Sequence, residues 1–208
     1  MVAPDAHLRR ADPVMARLID ENGGPLPSEP PAAGRPDDPY GALVRAIAGQ
    51  QLSVKAAQAI WRRLIARFDG RTPTPEEILA DDPEELRVAA GFSRAKVAYL
   101  RSLAEHVVSG ELELERLDEL PDDEVIRELT AVKGIGEWSA HMFLMFTLHR
   151  PDVLAPGDLG IRNAVRAAYG LDAVPTPAEL EAIAEPWRPY RTRACLYLWR
   201  SLDNEPAV

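Results

Sequence analysis

The stretch that decides the fold prediction is residues 129–166, LTAVKGIGEWSAHMFLMFTLHRPDVLAPGDLGIRNAVR. Apolar residues at helical spacing precede and follow Gly134-Ile135-Gly136, which predicts a helix, a tight hairpin and a second helix. Glycine suits such a hairpin because it accepts φ > 0 and has no Cβ. The amides at the N-terminus of the second helix favour an anion such as phosphate, and Lys133 would add positive charge. A plain turn between helices fits the same pattern.

Asp158 stands at the end of a Gly/Pro-rich loop and before an amphipathic run that includes Ile161 and Val165. Both neighbours predict that this Asp lies at or near a helix N-cap. Capping alone would explain a lone Asp in that position. Here the Asp follows a candidate phosphate-binding hairpin at the distance of one helix and one loop, which adds a functional interpretation.

Together, LTAVKGIGEWSA and VLAPGDLGIR resemble the signature of the helix-hairpin-helix (HhH-GPD) DNA glycosylase superfamily. The resemblance is to its 3-methyladenine DNA glycosylase II (alkylbase glycosylase) branch, in the short form without an N-terminal β domain. It extends through LVRAIAGQQLSVKAAQAIWRRL and AEPWRPYRTRACLYLW, and so covers most of the chain from about Asp38.

This resemblance implies an all-α fold with two helical lobes and a DNA-binding cleft between them. Residues 40–148 would form the lobe with the wedge loop and the hairpin. Residues 1–39 and 149–208 would form the second lobe, with the catalytic Asp near its start.

The resemblance also implies a set of functional residues. They are Asp158 as the catalytic carboxylate, Trp138, Trp199 and Met142 in the base pocket, Lys133, Gly134, Ile135 and Gly136 in the phosphate-binding hairpin, and Gln51 or Leu52 as the wedge that fills the gap left by an extruded base. Two positions depart from the family pattern: Gly157 replaces an acidic residue and Met142 replaces an aromatic one.

Trp138 separates two kinds of glycosylase. In similar enzymes with lyase activity the matching residue is a Lys that attacks the sugar, and a Trp cannot form a Schiff base. We therefore expect a monofunctional enzyme that flips out and hydrolytically excises alkylated purines, such as N3-methyladenine and N7-methylguanine. The alternatives are a helix-hairpin-helix module that binds DNA or lesions without catalysis, and a glycosylase for deaminated or etheno bases.

The composition limits which cofactors the chain could bind and indicates where in the cell it is expected. The 208 residues include one Cys and four His. A single Cys excludes an internal disulfide and a Cys-based zinc or iron-sulfur site, so no cofactor is expected beyond a structural Na⁺ or K⁺ at the hairpin carbonyls. No apolar run has membrane-spanning length, and the N-terminus has no apolar signal segment. We expect a cytoplasmic, nucleoid-associated monomer whose partner is damaged double-stranded DNA.

The net charge of −9 disfavours DNA binding at first sight, because affinity for phosphates comes from Lys and Arg. The charge is unevenly distributed, however. Residues 41–72 hold six basic side chains and one acidic one, whereas residues 73–128 hold six basic and sixteen acidic side chains. An acidic segment on the far side of the protein would create a dipole that orients it on DNA.

Periodicity and helix-start signals predict the remaining elements, with no strand pattern. The expected helices cover residues 12–21, 39–68 with a break at Gly49–Ser53 and a Ser53 cap, two short starts at Thr74 and Asp82, 93–110, from Pro121 to the hairpin, 158–169, 177–184 and 189–202. Residues 22–38, rich in Gly and Pro, are a predicted connector.

Overall fold

A computed structural model describes residues 3–21 and 38–202, and all regular secondary structure within them is helical. The all-α prediction is confirmed. The α-helices of these ranges are α1 (Pro4–Ala11), α2 (Pro13–Glu21), α3 (Pro39–Gly49), α4 (Val54–Arg67), α5 (Pro75–Ala80), α6 (Pro83–Ala90), α7 (Arg94–Ser109), α8 (Asp122–Ala131), α9 (Glu137–Phe146), α10 (Leu159–Tyr169), α11 (Pro177–Ala184) and α12 (Arg191–Ser201), with 3-10 turns at Leu114–Arg116 and Glu185–Trp187.

Local side-chain chemistry sets most helix starts. The Ser53 hydroxyl accepts a hydrogen bond from the Ala56 amide, so the predicted break between α3 and α4 is confirmed. Thr74 forms a full capping box with Glu77 at the start of α5. The Asp82 carboxylate accepts from two amides at the start of α6. These caps satisfy amides that have no partner within the helix.

Two helical details differ from the sequence prediction, and the predicted connector is largely outside the described residues. Helix α1 was not predicted, since of its residues only Leu8 is buried and one apolar contact leaves little periodicity. Helix α12 begins at Arg191, two residues later than expected. Of the predicted connector 22–38, only Asp38 lies within the described residues, and its carboxylate caps α3 through the Gly41 amide at 2.7 Å.

The described residues divide into two compact units. The hairpin unit comprises residues 38–143, and the aspartate unit comprises residues 3–21 and 144–202. The division falls inside α9, between Phe143 and Leu144. None of the helices in the described ranges is long and apolar enough to cross a membrane.

Helix α7 is the centre of the hairpin unit. It packs against α3, α5 and α6, and its Leu100 and Leu103 are fully buried together with Leu43 of α3, Ile78 of α5 and Leu86 of α6. Burial of side chains of this size stabilises the unit by about 1.5–3 kcal/mol each. Helix α7 therefore provides a fixed platform for the loops that contact it.

In the aspartate unit, a buried carboxylate ties α2 to the C-terminal half of the chain. Asp12 is 7% exposed. Its Oδ2 accepts hydrogen bonds from the Trp187 indole N–H at 2.9 Å and from the Tyr169 hydroxyl, and its Oδ1 accepts from the Val14 amide at 2.8 Å. Burial and the Asp12 hydrogen bond both raise the pKa of Tyr169, so the phenol remains a donor at neutral pH.

We expect Asp12→Ala to destabilise the protein by about 2–5 kcal/mol, because it leaves the buried Trp187 N–H and the half-buried Tyr169 hydroxyl without their acceptor. Urea unfolding measures this difference. Asp20→Ala is the matched control, since Asp20 pairs with Arg9 on the surface and its removal should shift the unfolding midpoint little. Equal effects of the two substitutions would contradict the structural role of Asp12.

Candidate functional site

The predicted hairpin joins α8 to α9 and turns at a glycine with left-handed backbone. Gly134 has φ +92°, and the Ile135 amide donates to the Val132 carbonyl at 3.1 Å. Ile135 is 4% exposed, so it anchors the turn in the core, whereas Gly136 is exposed. The helix, hairpin and helix of the sequence prediction are confirmed.

The hairpin packs against helix α7. A Cβ on Gly134 would lie 2.2–2.6 Å from three atoms of the Tyr99 ring, so only glycine fits over that ring. The Lys133 amide donates to Ser102 Oγ at 3.3 Å. Tyr99 and Ser102 are three residues apart and therefore share one face of the helix. The position of the hairpin is thus determined by α7.

The geometry leaves the hairpin amides available to a ligand. Within residues 3–21 and 38–202, neither the Gly134 nor the Gly136 amide donates a hydrogen bond to the protein. Gly136 directly precedes α9, where the helix dipole favours an anion, and Lys133 is exposed beside it. These features suit a phosphate oxygen. The predicted Na⁺ or K⁺ stays a prediction, compatible with Val132 O and Gly134 O because a carbonyl has two lone pairs.

The turn between α3 and α4 carries both wedge candidates. Gln51 is exposed and has φ +58°, an uncommon conformation for a residue other than glycine. Leu52 is half-buried. The preceding Gln50 was not singled out from the sequence, yet its Nε2 donates to the Gly134 carbonyl at 2.9 Å. No local pattern reveals a contact between residues 84 positions apart.

The basic stretch 41–72 is partly neutralised by the acidic segment that follows it. Arg67 forms ion pairs with Asp81 at 2.6 Å and Glu85 at 3.0 Å, and Arg71 pairs with Glu77 at 2.5 Å. The predicted separation of basic and acidic segments is therefore incomplete at the C-terminal end of α4. The other basic side chains of this stretch are Arg45, Lys55, Arg62 and Arg63, and Arg45 lies over the Trp61 ring at 5.8 Å from its centroid.

Asp158 caps α10, as predicted, and is held in one orientation. It is 8% exposed, and its Oδ1 accepts hydrogen bonds from the Ile161 amide at 2.7 Å and the Trp199 indole N–H at 3.1 Å. A Cβ on Gly160 would lie 3.0 Å from Oδ1 and 3.5 Å from the Trp199 ring. Gly160, which sequence reasoning missed, thus allows the indole and the carboxylate to meet.

The predicted pocket residue Trp199 has a further role in this arrangement. It is 3% exposed, and its ring stacks on Phe146 with centroids 6.1 Å apart. The buried Cys195 lies on the same helix, and burial, reinforced by the Asp158 charge, raises the pKa of its thiol to about 12. The thiol is therefore protonated near neutral pH and is not a nucleophile.

The other two pocket candidates lie on α9, within the hairpin unit. Trp138 is 38% exposed and Met142 is 1% exposed, so the indole is accessible to solvent whereas the thioether is packed. The structure brings Asp158 and Trp199 together; the pocket roles of Trp138, Trp199 and Met142 stay predictions. Among the described residues, no group of three or more His, Cys, Asp or Glu side chains could hold a metal ion.

We expect Gly134→Ala to lower the free energy of unfolding by about 2–5 kcal/mol, from left-handed strain and the clash with Tyr99. Gly136→Ala should be neutral or stabilise by up to about 1 kcal/mol, because a Cβ there has no atom within 4 Å. Urea unfolding of the two variants measures the contrast. Adding Tyr99→Ala to Gly134→Ala should recover part of the loss, and no recovery would contradict the clash.

Comparison with known proteins places this geometry in a family. The model of the HhH-GPD superfamily of base excision DNA repair proteins matches residues 44–189. A protein named DNA-3-methyladenine glycosylase 1 from Schizosaccharomyces pombe is 39% identical over 95% of this chain and 86% of its own length.

Two solved structures are similar over nearly the whole chain. One is a 3-methyladenine DNA glycosylase from S. pombe in complex with abasic DNA, with a TM-score of 0.84, 38% identity and 96% coverage of both chains. Another is a DNA-3-methyladenine glycosidase from Bacillus halodurans, with a TM-score of 0.81 and 37% identity over 96% of this chain and 89% of the other. The chain therefore belongs to the HhH-GPD superfamily of base excision DNA repair proteins.

Proposed function

We propose that this protein is a monofunctional DNA glycosylase that hydrolyses the N-glycosidic bond of alkylated purines in duplex DNA. The observation that carries the proposal is the buried Asp158 carboxylate, fixed by an amide and an indole N–H, in a chain similar to proteins named for 3-methyladenine excision. N3-methyladenine and N7-methylguanine are the proposed substrates.

The hairpin and the α3–α4 turn supply the DNA-binding part of this function. The Gly134 and Gly136 amides bind phosphate oxygens, which positions the protein without reading sequence. An extruded base leaves a gap in the stack, and extrusion costs a few kcal/mol. We assign the wedge to Gln51, because it is exposed on a left-handed backbone while Leu52 is half-buried.

Asp158 supplies the chemistry. Breaking an N-glycosidic bond builds positive charge on the sugar, as in the oxocarbenium-like transition state of glycoside hydrolysis. A fixed carboxylate with little exposure to water stabilises that charge without reorganising. The same carboxylate can orient or deprotonate the attacking water. A purine alkylated at N3 or N7 already carries a positive charge and is a good leaving group, so this mechanism needs no general acid for such a base.

Trp138 accounts for recognition of the damaged base. Its exposed indole can stack on a base for about 1–3 kcal/mol and attract a cationic purine for about 0.5–2 kcal/mol. These energies are small compared with the barrier to base release. Selectivity therefore depends largely on the lability of the alkylated base, and we expect a broad substrate range.

The setting of the reaction is part of the proposal. Because the substrate is chromosomal duplex DNA, we propose that the protein acts in the cytoplasm with the nucleoid. We also propose that it acts as a monomer, since one hairpin, one wedge and one carboxylate supply each function that the reaction needs.

The central test is base release from methylated duplex DNA, measured by chromatography of the free purines under single-turnover conditions. The wild type should release N3-methyladenine and N7-methylguanine, whereas Asp158→Asn should be slower by about 100-fold or more, by analogy with the removal of an electrostatic stabiliser. Asn keeps an oxygen that accepts from the Ile161 amide, so α10 remains capped and DNA binding should persist.

Asp172→Asn is the matched control, because Asp172 is exposed in the aspartate unit and the substitution changes the charge equally. Full activity in Asp158→Asn would exclude the assigned role. A wild type that binds DNA but releases no alkylated, deaminated or etheno base would leave a binding module as the function.

A second test concerns strand cleavage. Because Trp138 cannot form a Schiff base, the wild type should leave an intact strand with an abasic site, and borohydride should trap no covalent protein–DNA complex. Gel electrophoresis before and after alkali treatment measures both. A trapped complex would contradict the assignment, and its loss in Lys133→Ala would identify the hairpin lysine as the amine.

A further inference from the structure

The side chain of Gln50 connects two elements of the hairpin unit that the sequence assigns to separate tasks. Its Nε2 donates to the Gly134 carbonyl at 2.9 Å, so the turn with Gln51 and the phosphate-binding hairpin are joined directly. The backbone of Gln50 is fixed as well, since its amide caps α3 by donating to Ala46 O at 3.1 Å.

Helix α7 contacts the same two elements, the α3–α4 turn and the hairpin. Lys96 Nζ donates to the Ala48 carbonyl at 2.7 Å, at the end of α3. One turn later the Tyr99 ring lies against Gly134, and Ser102 Oγ accepts from the Lys133 amide. These three α7 residues are spaced at i, i+3 and i+6, so one face of the helix contacts both the turn and the hairpin.

The hydrogen bond from Gln50 to the Gly134 carbonyl also affects the position of the hairpin backbone. The Gly134 carbonyl belongs to the same peptide plane as the Ile135 amide, which donates to Val132 O. This plane lies between the peptide that carries the Gly134 amide and the peptide that carries the Gly136 amide, so holding it at both groups restricts the positions of both amides. On the other side of the bond, Gln50 directly precedes Gln51, whose φ of +58° sets the direction of the exposed side chain.

We propose that Gln50 is a positioning residue that couples the phosphate grip of the hairpin to the placement of the Gln51 wedge, so that loss of one contact with DNA weakens the other. This inference rests on the proposed function only in assigning the two elements to DNA. A hairpin displaced from its phosphate would displace the wedge as well, because one hydrogen bond and one helix face hold the pair.

A double-mutant cycle on DNA binding tests the coupling. The probe is a duplex with a tetrahydrofuran abasic-site analogue, so binding is measured without base release. Gly136→Ala weakens the hairpin contact, because the added Cβ lies beside the amides that bind the phosphate. That Cβ points into open space within the protein, so the fold stays intact. Gln51→Ala removes the wedge. With Gln50 present, we expect the two losses of affinity to be non-additive by about fivefold or more.

The same cycle in the Gln50→Met background should be additive to within about twofold. Methionine has a similar length but no donor, so it removes the bond to Gly134 O while filling the space. Gln50→Lys restores an N–H donor and should restore the non-additivity. Gln58→Met is the matched control, because Gln58 is exposed on α4 of the same unit and the same chemical change there should preserve the coupling.

Two outcomes overturn the proposal: equal non-additivity in the wild-type and Gln50→Met backgrounds, or additivity in both. Unfolding curves of each variant show whether the protein is folded, and if Gln50→Met is not, Gln50→Glu removes the donor at equal length and takes its place. A wild type that binds the probe with the expected coupling but releases no alkylated base would refute the proposed function alone. Base release without the Gln50-dependent coupling would refute this inference alone.

Discussion

The close approach of the Gly134 backbone to the Tyr99 ring is the contact on which the hairpin unit depends. It requires a residue without Cβ and a φ of +92°, so neither the turn nor α7 can change without the other. With the hairpin in this position, Gly136 is exposed directly before α9, and the Gly134 carbonyl accepts a hydrogen bond from Gln50. The same packing constraint therefore positions the amides that we propose as phosphate ligands.

In the aspartate unit, Asp158 likewise combines a structural role, as the cap of α10, with the catalytic role that we propose for it. Its carboxylate caps α10 and accepts from Trp199, so the interactions that keep it in place are those of an ordinary N-cap. For the catalytic role that we propose, this cap fixes the orientation of the carboxylate before substrate binds, which is the preorganisation that electrostatic catalysis requires. Asn can keep the cap but lacks the charge, which separates the two roles.

Local chemistry made most of the fold predictable, and long-range contacts limited prediction of the site. The caps at Ser53, Thr74 and Asp158 act within three residues, so their sequence signals are complete. The bonds from Gln50 to Gly134 and from Trp199 to Asp158 span 84 and 41 residues, and no spacing rule encodes them. Helix α1 escaped prediction for another reason: one buried residue, Leu8, creates no periodicity.

The net charge of −9 is consistent with DNA binding if charged side chains and uncharged backbone amides are considered separately as hydrogen-bond donors to phosphate. Arg67 and Arg71 pair with acidic residues of α5, α6 and the loop between them, so they contribute little to the electrostatic attraction of DNA phosphates. The hairpin amides carry no formal charge, and in the proposed function their affinity for phosphate comes from their direction and from the helix terminus. Fewer cations at the interface means fewer counterions released on binding, and therefore a shallower salt dependence than a strongly basic protein shows. We therefore propose that, in this chain, the direction of the Gly134 and Gly136 amides compensates for part of the missing positive charge.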